Sequence, residues 1–157
     1  VVETIKVGQR PRGITFTKDQ RYVLVAAGDD DTIQMIDAIS NKVVDTLPSG
    51  PDPELFIDDP TGKILYVVNE NDNTVTIIDI ERRARLGEVE VGVEPEGMGI
   101  SPDGKILVNT SETTNMAHFI DTASQEVVAN VLVDARGLPS SRTTAPNCGC
   151  PRRSGER

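Results

Sequence analysis

The 157 residues carry 25 Asp and Glu against 16 Lys and Arg, a formal net charge of −9, with one His, no Trp and 3% aromatic residues. That balance argues against nucleic acid, whose binding rests on Lys and Arg neutralising phosphates. It suits a solvated surface or a partner with a basic patch. No apolar run is long enough to cross a membrane as a helix and no window holds a helical period, so neither a membrane span nor a helical domain is expected.

Val1–Val7 reads as the outer strand of a blade ahead of the first full repeat, so the chain is expected to begin in mid-fold; without an initiator Met or a leader the compartment stays open. From there a period of 42 residues runs without slippage through Gly8, Gly50 and Gly92, Pro11, Pro53 and Pro95, and Asp37, Asp79 and Asp121. A fixed period in the 40s with four short strands per unit is the mark of a β-propeller. The fold class is therefore all-β, a partial β-propeller of about three four-stranded antiparallel blades at about 11–49, 53–91 and 95–133.

Strands are predicted near 12–17, 22–27, 32–37 and 43–48 and again one and two periods later; in the second unit they read Glu54–Asp58, Ile64–Val68, Thr74–Ile80 and Leu86–Val91. The second run of each unit is rich in Val, Ile, Leu and Tyr, as a strand buried on both faces requires. Asp59-Pro60-Thr61-Gly62 and Ser101-Pro102-Asp103-Gly104 place Pro where φ is fixed and Gly where φ is positive, which closes a tight hairpin. Asp37, Asp79 and Asp121 end the third strands and are expected to hold the backbone of the next turn.

A fourth unit begins with VVANVLVDAR, but Gly137 stands where the period demands Pro, and the strand pattern ends. Residues 137–157 hold four Arg against one Glu, leaving a net charge of −12 over residues 1–136. Read one base earlier, the codons of Asn147–Arg157 permit ELWVSAEIGGT, which matches the strand after the Asp-Gly turn in the other repeats, as in KILYVVNENDNT. The segment 137–157 is therefore read as out of frame, irregular and exposed, with Cys148 and Cys150 joined to no site. Three blades form an arc that does not close; propellers have about 4–8 blades, and seven at this period would take roughly 300 residues. The bare sheet faces at both ends are expected to favour association and poor folding alone.

Propeller geometry puts the inter-blade loops and the loops between second and third strands on one face. Arg12, Glu54 and Glu96 take equivalent positions at the start of the inner strands, near the axis, and Glu70 and Glu112 stand in the second-to-third loops. One Arg and several Glu around a funnel suit a cation, a polar ligand or a partner loop, or else a mutually paired rim. Asp29–Asp31 lacks the spacing of a calcium loop. His118, the sole histidine, lies in the third strand of its blade near the positions of Met35 and Ile77, and is nominated as a weak binding residue. No catalytic residue and no metal ligand set is nominated.

PTGK and the run YVVNENDNTVTIID resemble the YVTN-family β-propeller repeat, a likeness that covers residues 1–136. Within it, GQRPRGITFTKD, SGPDPELF, VGVEPEGM and NTSETTNMAHFID resemble the β-propeller proteins associated with pyrroloquinoline-quinone-dependent alcohol catabolism in bacteria. The resemblance implies about seven blades, a periplasmic or secreted location, no cofactor in this chain itself, and periplasmic dehydrogenase components as partners. Two functions stay open: a non-catalytic binding or scaffolding propeller, or a lactonase-like or quinone-using propeller enzyme with its site in the axial funnel. The lack of a recognisable catalytic constellation favours the first.

Overall fold

The computed structural model describes residues 3–133. Twelve strands build three antiparallel sheets, each in simple sequential order. Blade 1 holds β1 (Pro11–Phe16), β2 (Tyr22–Ala27), β3 (Thr32–Asp37) and β4 (Lys42–Pro48). Blade 2 holds β5 (Pro53–Asp58), β6 (Ile64–Asn69), β7 (Thr74–Asp79) and β8 (Ala84–Glu90). Blade 3 holds β9 (Pro95–Ile100), β10 (Ile106–Ser111), β11 (Met116–Asp121) and β12 (Glu126–Leu132). Every strand starts and ends within two residues of its predicted bounds. The expected out-of-frame segment 137–157, with Cys148 and Cys150, lies outside the described residues.

The outer strand expected at the start of the chain is not formed: residues 3–8 carry no strand. A strand needs a ladder, and here the segment is held by Asn41 Nδ2 donating to Glu3 Oε2 at 2.9 Å and Gly8 N–H donating to Gln34 Oε1 at 2.9 Å. Its place is still that of an outer strand. Glu3 is in register with Asp45 of β4, whose carboxylate pairs with Arg83 of the next blade, just as Glu3 meets Asn41.

Alternation along the strands turns one side of each blade to its predecessor and the other to its successor. Leu24, Ala26, Ile33, Met35 and Leu47 of blade 1 pack on Leu65, Val67 and Ile78 of blade 2. One period later, Tyr66, Val75, Ile77 and Val89 pack on Leu107 and Ile120 of blade 3. Each of the Val, Leu, Ile and Met side chains among them stabilises the arc by about 1.5–3 kcal/mol when fully covered. The inner strands β1, β5 and β9 run side by side at the axis. There β1 passes so close to β5 that a Cβ on Gly13 would lie 2.6 Å from the Glu54 carbonyl oxygen.

The turns work as their residues predict. Asp37 Oδ1 accepts from Ser40 N–H at 2.7 Å, Asp79 Oδ1 from Arg82 N–H at 2.8 Å and Asp121 Oδ1 from Ser124 N–H at 2.8 Å. Gly62 and Gly104 have φ of 74° and 73°, with N–H groups returned to Asp59 O and Ser101 O. In blade 1 the same place is taken by Gln20 at φ 58°.

Candidate functional site

The inter-blade loops and second-to-third loops meet at the axial rim, and the 42-residue register sorts their residues into three columns. Arg10, Asp52 and Glu94 form the first, Arg12, Glu54 and Glu96 the second, Gly28, Glu70 and Glu112 the third. The backbone fixes the first column against the third: Gly28 N–H donates to Arg10 O at 3.1 Å, Glu70 N–H to Asp52 O at 3.0 Å and Glu112 N–H to Glu94 O at 2.9 Å. All three first-column residues adopt positive φ, 50°, 55° and 54°, without being glycine. The preceding blade locks two of them, since Asp31 Oδ1 accepts from Asp52 N–H at 3.0 Å and Asn73 Oδ1 from Glu94 N–H at 3.2 Å. Asp31 and Asn73 thus hold the backbone of the next inter-blade loop through their side chains.

Blade 1 supplies the bases of the rim and blade 2 the acids they meet. Arg10 Nη2 donates to both oxygens of Asp52, at 2.6 and 2.5 Å, and lies 3.6 Å from Glu70 Oε2. Arg12 Nη2 pairs with Glu54 Oε1 and lies 3.6 Å from Glu70 Oε2. Asp52 and Glu54 keep only 7% and 12% of their side chains exposed, so these ion pairs are far better shielded than ordinary surface pairs. Glycine at position 28 makes room for the bridge: a Cβ there would lie 2.6 Å from Asp52 Oδ1.

One step further round, acids meet acids. Among the described residues no Lys or Arg pairs with Glu94, Glu96 or Glu112; Glu94 instead accepts from Thr113 Oγ1. Burial, then the neighbouring Glu112, raises the pKa of Glu96. Burial also pushes Glu54 up to about 7; its hydrogen bond to Glu70 and the charges of Glu70 and Asp52 add to this, while Arg12 opposes it. Arg12, Glu54 and Glu96 line one cavity of about 510 Å³ with Pro11, Leu55 and Gly97.

Carboxylate oxygens of Asp52, Glu54 and Glu70 lie within 4.8 Å of one another, a set that could hold a hard cation. Arg10 and Arg12 already bring two positive charges to those three acids, so a metal would have to displace a guanidinium. Arg10 and Asp52 were not singled out by sequence, although their 42-residue separation was the signal that could have found them.

The structure places His118 away from this cluster. Its Nε2 accepts from Gly92 N–H at 3.0 Å and its Nδ1 meets Asn130 Oδ1 at 2.7 Å, which fixes a neutral ring with the proton on Nδ1. Its true register partners are Gln34 and Thr76, and Gln34 holds Gly8 N–H in the same way.

No protein-family model matches the chain, and no curated protein matches it. Among solved structures it is similar to hydrazine synthase of Kuenenia stuttgartiensis, with a TM-score of 0.75 and 28% sequence identity over 85% of this chain. The chain spans 39% of the length of that one. The likeness agrees with the β-propeller architecture read from the strands.

Proposed function

We propose that this chain is part of a non-catalytic binding or scaffolding β-propeller whose axial rim receives a cationic group of a partner. The observation that carries this reading is the asymmetry of the rim. The Arg10 and Arg12 side chains satisfy the acids of blade 2, while Glu96 of blade 3 lines the same cavity and, with the neighbouring Glu94 and Glu112, pairs with no base among the described residues. An exposed row of carboxylates held on a fixed scaffold, with no base beside it among the described residues, attracts positive charge. The repeat's resemblance to YVTN-family propellers linked to pyrroloquinoline-quinone-dependent alcohol oxidation supports a periplasmic or secreted protein that serves a quinoprotein dehydrogenase.

The test is binding of Glu96→Gln, Glu112→Gln and the double variant to periplasmic dehydrogenase components, with circular dichroism to follow folding. The double variant is expected to fold normally and bind at least tenfold more weakly. Unchanged binding to every component assigns the rim to structure alone.

A second reading is a propeller enzyme with its site in the funnel. The favouring observation is Glu54, held near neutral pKa against Glu70, a state suited to proton transfer. Turnover of lactone or alcohol substrates that Glu54→Gln abolishes, with rim binding kept, selects this reading.

A further inference from the structure

The face opposite the rim carries a second depression, and its charge is of the other sign. The β1–β2 turn of blade 1 and the β5–β6 and β7–β8 turns of blade 2 enclose a groove of about 400 Å³. Lys18 and Arg21 stand on its blade 1 wall and Lys63 and Arg83 on its blade 2 wall, against Asp19 and Glu81. In a chain of net charge −9, four bases against two acids is a local reversal. The two blades are packed on each other through Leu24, Met35, Leu65 and Ile78, so the lining of the groove does not depend on what adjoins the outer faces of the arc.

Three of these bases keep their charge available. Arg83 pairs with Asp45 across the blade boundary, but among the described residues no ion pair joins Lys18, Arg21 or Lys63 to a carboxylate. Asp19, beside Arg21, turns to its own hairpin, its Oδ1 accepting from Thr17 Oγ1 at 2.7 Å and from Arg21 N–H at 3.1 Å. Two of the three are also held in place. Lys18 Nζ donates to Pro60 O at 2.8 Å, a carbonyl of the next blade that steers the ammonium without neutralising it. The Lys18 stem lies against Gly62, where a Cβ would come within 2.9 Å of it. The Arg21 guanidinium lies over the Tyr22 ring, 5.3 Å from its centroid. These features depart from the repeat, since one period on Lys18, Tyr22 and Arg83 become Pro60, Ile64 and Gln125.

We propose that this groove binds a small dicarboxylate with a short aliphatic body, one carboxylate met by Lys18 and Arg21 and the other by Lys63. A guanidinium fork and ammonium groups are the donors that carboxylates take. Bases on both walls call for charge at both ends of the ligand. Tyr22, Met35 and Ile80, all part of the core between the blades or packed on it, give the groove an apolar floor that suits a carbon chain better than a bare inorganic ion. A ligand that joins the two walls adds its binding free energy to the packing of blade 1 on blade 2. The screening length at physiological salt is about 8 Å, so the local excess of bases outweighs the acids of the rim at the other end of the strands.

The test is calorimetric titration of the full chain with glutarate at low salt, with circular dichroism to follow folding and its thermal midpoint. Glutarate is expected to bind with a rise in that midpoint, and butyrate about tenfold more weakly or worse, because it leaves one wall unmatched. Lys18→Met and Lys63→Met keep the stems and remove one charge each, and either is expected to weaken glutarate by about tenfold in a folded chain. Lys105→Met removes the same charge at the repeat position of Lys63, one blade on, and is expected to change binding by less than about twofold. Absence of both heat and thermal shift with succinate, glutarate and adipate overturns the proposal. So does inorganic phosphate or butyrate binding as tightly as glutarate, an equal loss in Lys63→Met and Lys105→Met, or full binding in a folded double variant of Lys18→Met and Lys63→Met.

Discussion

Arg10 and Asp52 hold the same position in successive repeats and are bonded to each other, the guanidinium Nη2 reaching both carboxylate oxygens at 2.6 and 2.5 Å. A repeat protein normally uses equivalent positions for equivalent jobs. Here one position has become a donor in blade 1 and an acceptor in blade 2, and the ring neighbours complete an ion pair. Asp52 is 7% exposed at its side chain, so removing its partner leaves a covered charge with little water. Arg10→Ala is expected to lower the urea midpoint of unfolding. Asp52→Ala added to it is expected to recover part of the loss. Additive losses in that double-mutant cycle mean that the pair is not coupled.

Glu54 should set the neutral-pH limb of stability. Its folded pKa, about 7, lies above the ordinary value of 4.5, so its contribution is fully present below about 4.5 and is lost as pH rises through 7. Glu96 is raised as well and acts in the same sense. Asp59 acts in the opposite sense. Burial alone would raise it, but N–H groups of Ile64, Thr61 and Lys63 hold it below the usual range, so its contribution is lost as pH falls. Glu54→Gln keeps a neutral partner for Glu70 and removes the charge. It is expected to flatten the profile between pH 5 and 8 and to raise stability at pH 8 by on the order of 2 kcal/mol. Denaturant titrations across that pH range check it, and an unchanged slope removes the assignment.

Gln20 sits at φ 58° in the turn where blades 2 and 3 carry Gly62 and Gly104. A side chain in left-handed backbone costs about 1–2 kcal/mol, against which glycine loses about 0.5–1 kcal/mol of chain entropy. Gln20→Gly is therefore expected to stabilise by roughly 0.5–1 kcal/mol. The reverse change at Gly104 meets both the strained φ and Pro60, whose Cδ would lie 2.9 Å from a new Cβ, and should destabilise more. Thermal unfolding of the two variants decides the order.

How much of this was legible in sequence depends on what sets each feature. Strand bounds followed the period because alternation, Asp caps and Gly turns are local and recur three times. The early start of β1, β5 and β9 at Pro11, Pro53 and Pro95 did not, because each Pro pairs across an irregular register with Ala27, Asn69 or Ser111. The second-column residues Arg12, Glu54 and Glu96 were found, since like positions on inner strands must surround the axis, and they do line one cavity. The Arg10 to Asp52 bridge was hidden, since it depends on one blade lying beside the next and on Gly28 leaving room. The strand expected at Val1–Val7 failed for a matching reason. Its register is visible in the contacts of Glu3 and Gly8, but hydrogen-bonded pairing needs a neighbour that sequence position alone does not supply.

His118 tests whether register predicts replaceability. Blade 1 meets the need of Gly8 N–H with Gln34 Oε1 at 2.9 Å, and blade 3 meets that of Gly92 N–H with His118 Nε2 at 3.0 Å. Gln at position 118 has an acceptor of similar reach, though it gives up the contact of Nδ1 with Asn130. His118→Gln is expected to cost less than about 1 kcal/mol, the net worth of a single neutral hydrogen bond. His118→Leu fills similar volume but leaves Gly92 N–H and Asn130 Oδ1 without those partners at a site 7% exposed, and should cost about 1–3 kcal/mol. Amide exchange at Gly92 separates the cases: protection kept in the Gln variant and lost in the Leu variant fits an interior tie. Equal protection in both would mean that the ring holds nothing at Gly92. The Gln variant, which keeps the tie to Gly92, should not alter binding at the rim, since among the described residues no hydrogen bond or ion pair joins His118 to Arg12, Glu54 or Glu96, and a binding loss in a fully folded His118→Gln variant would return this residue to the functional site.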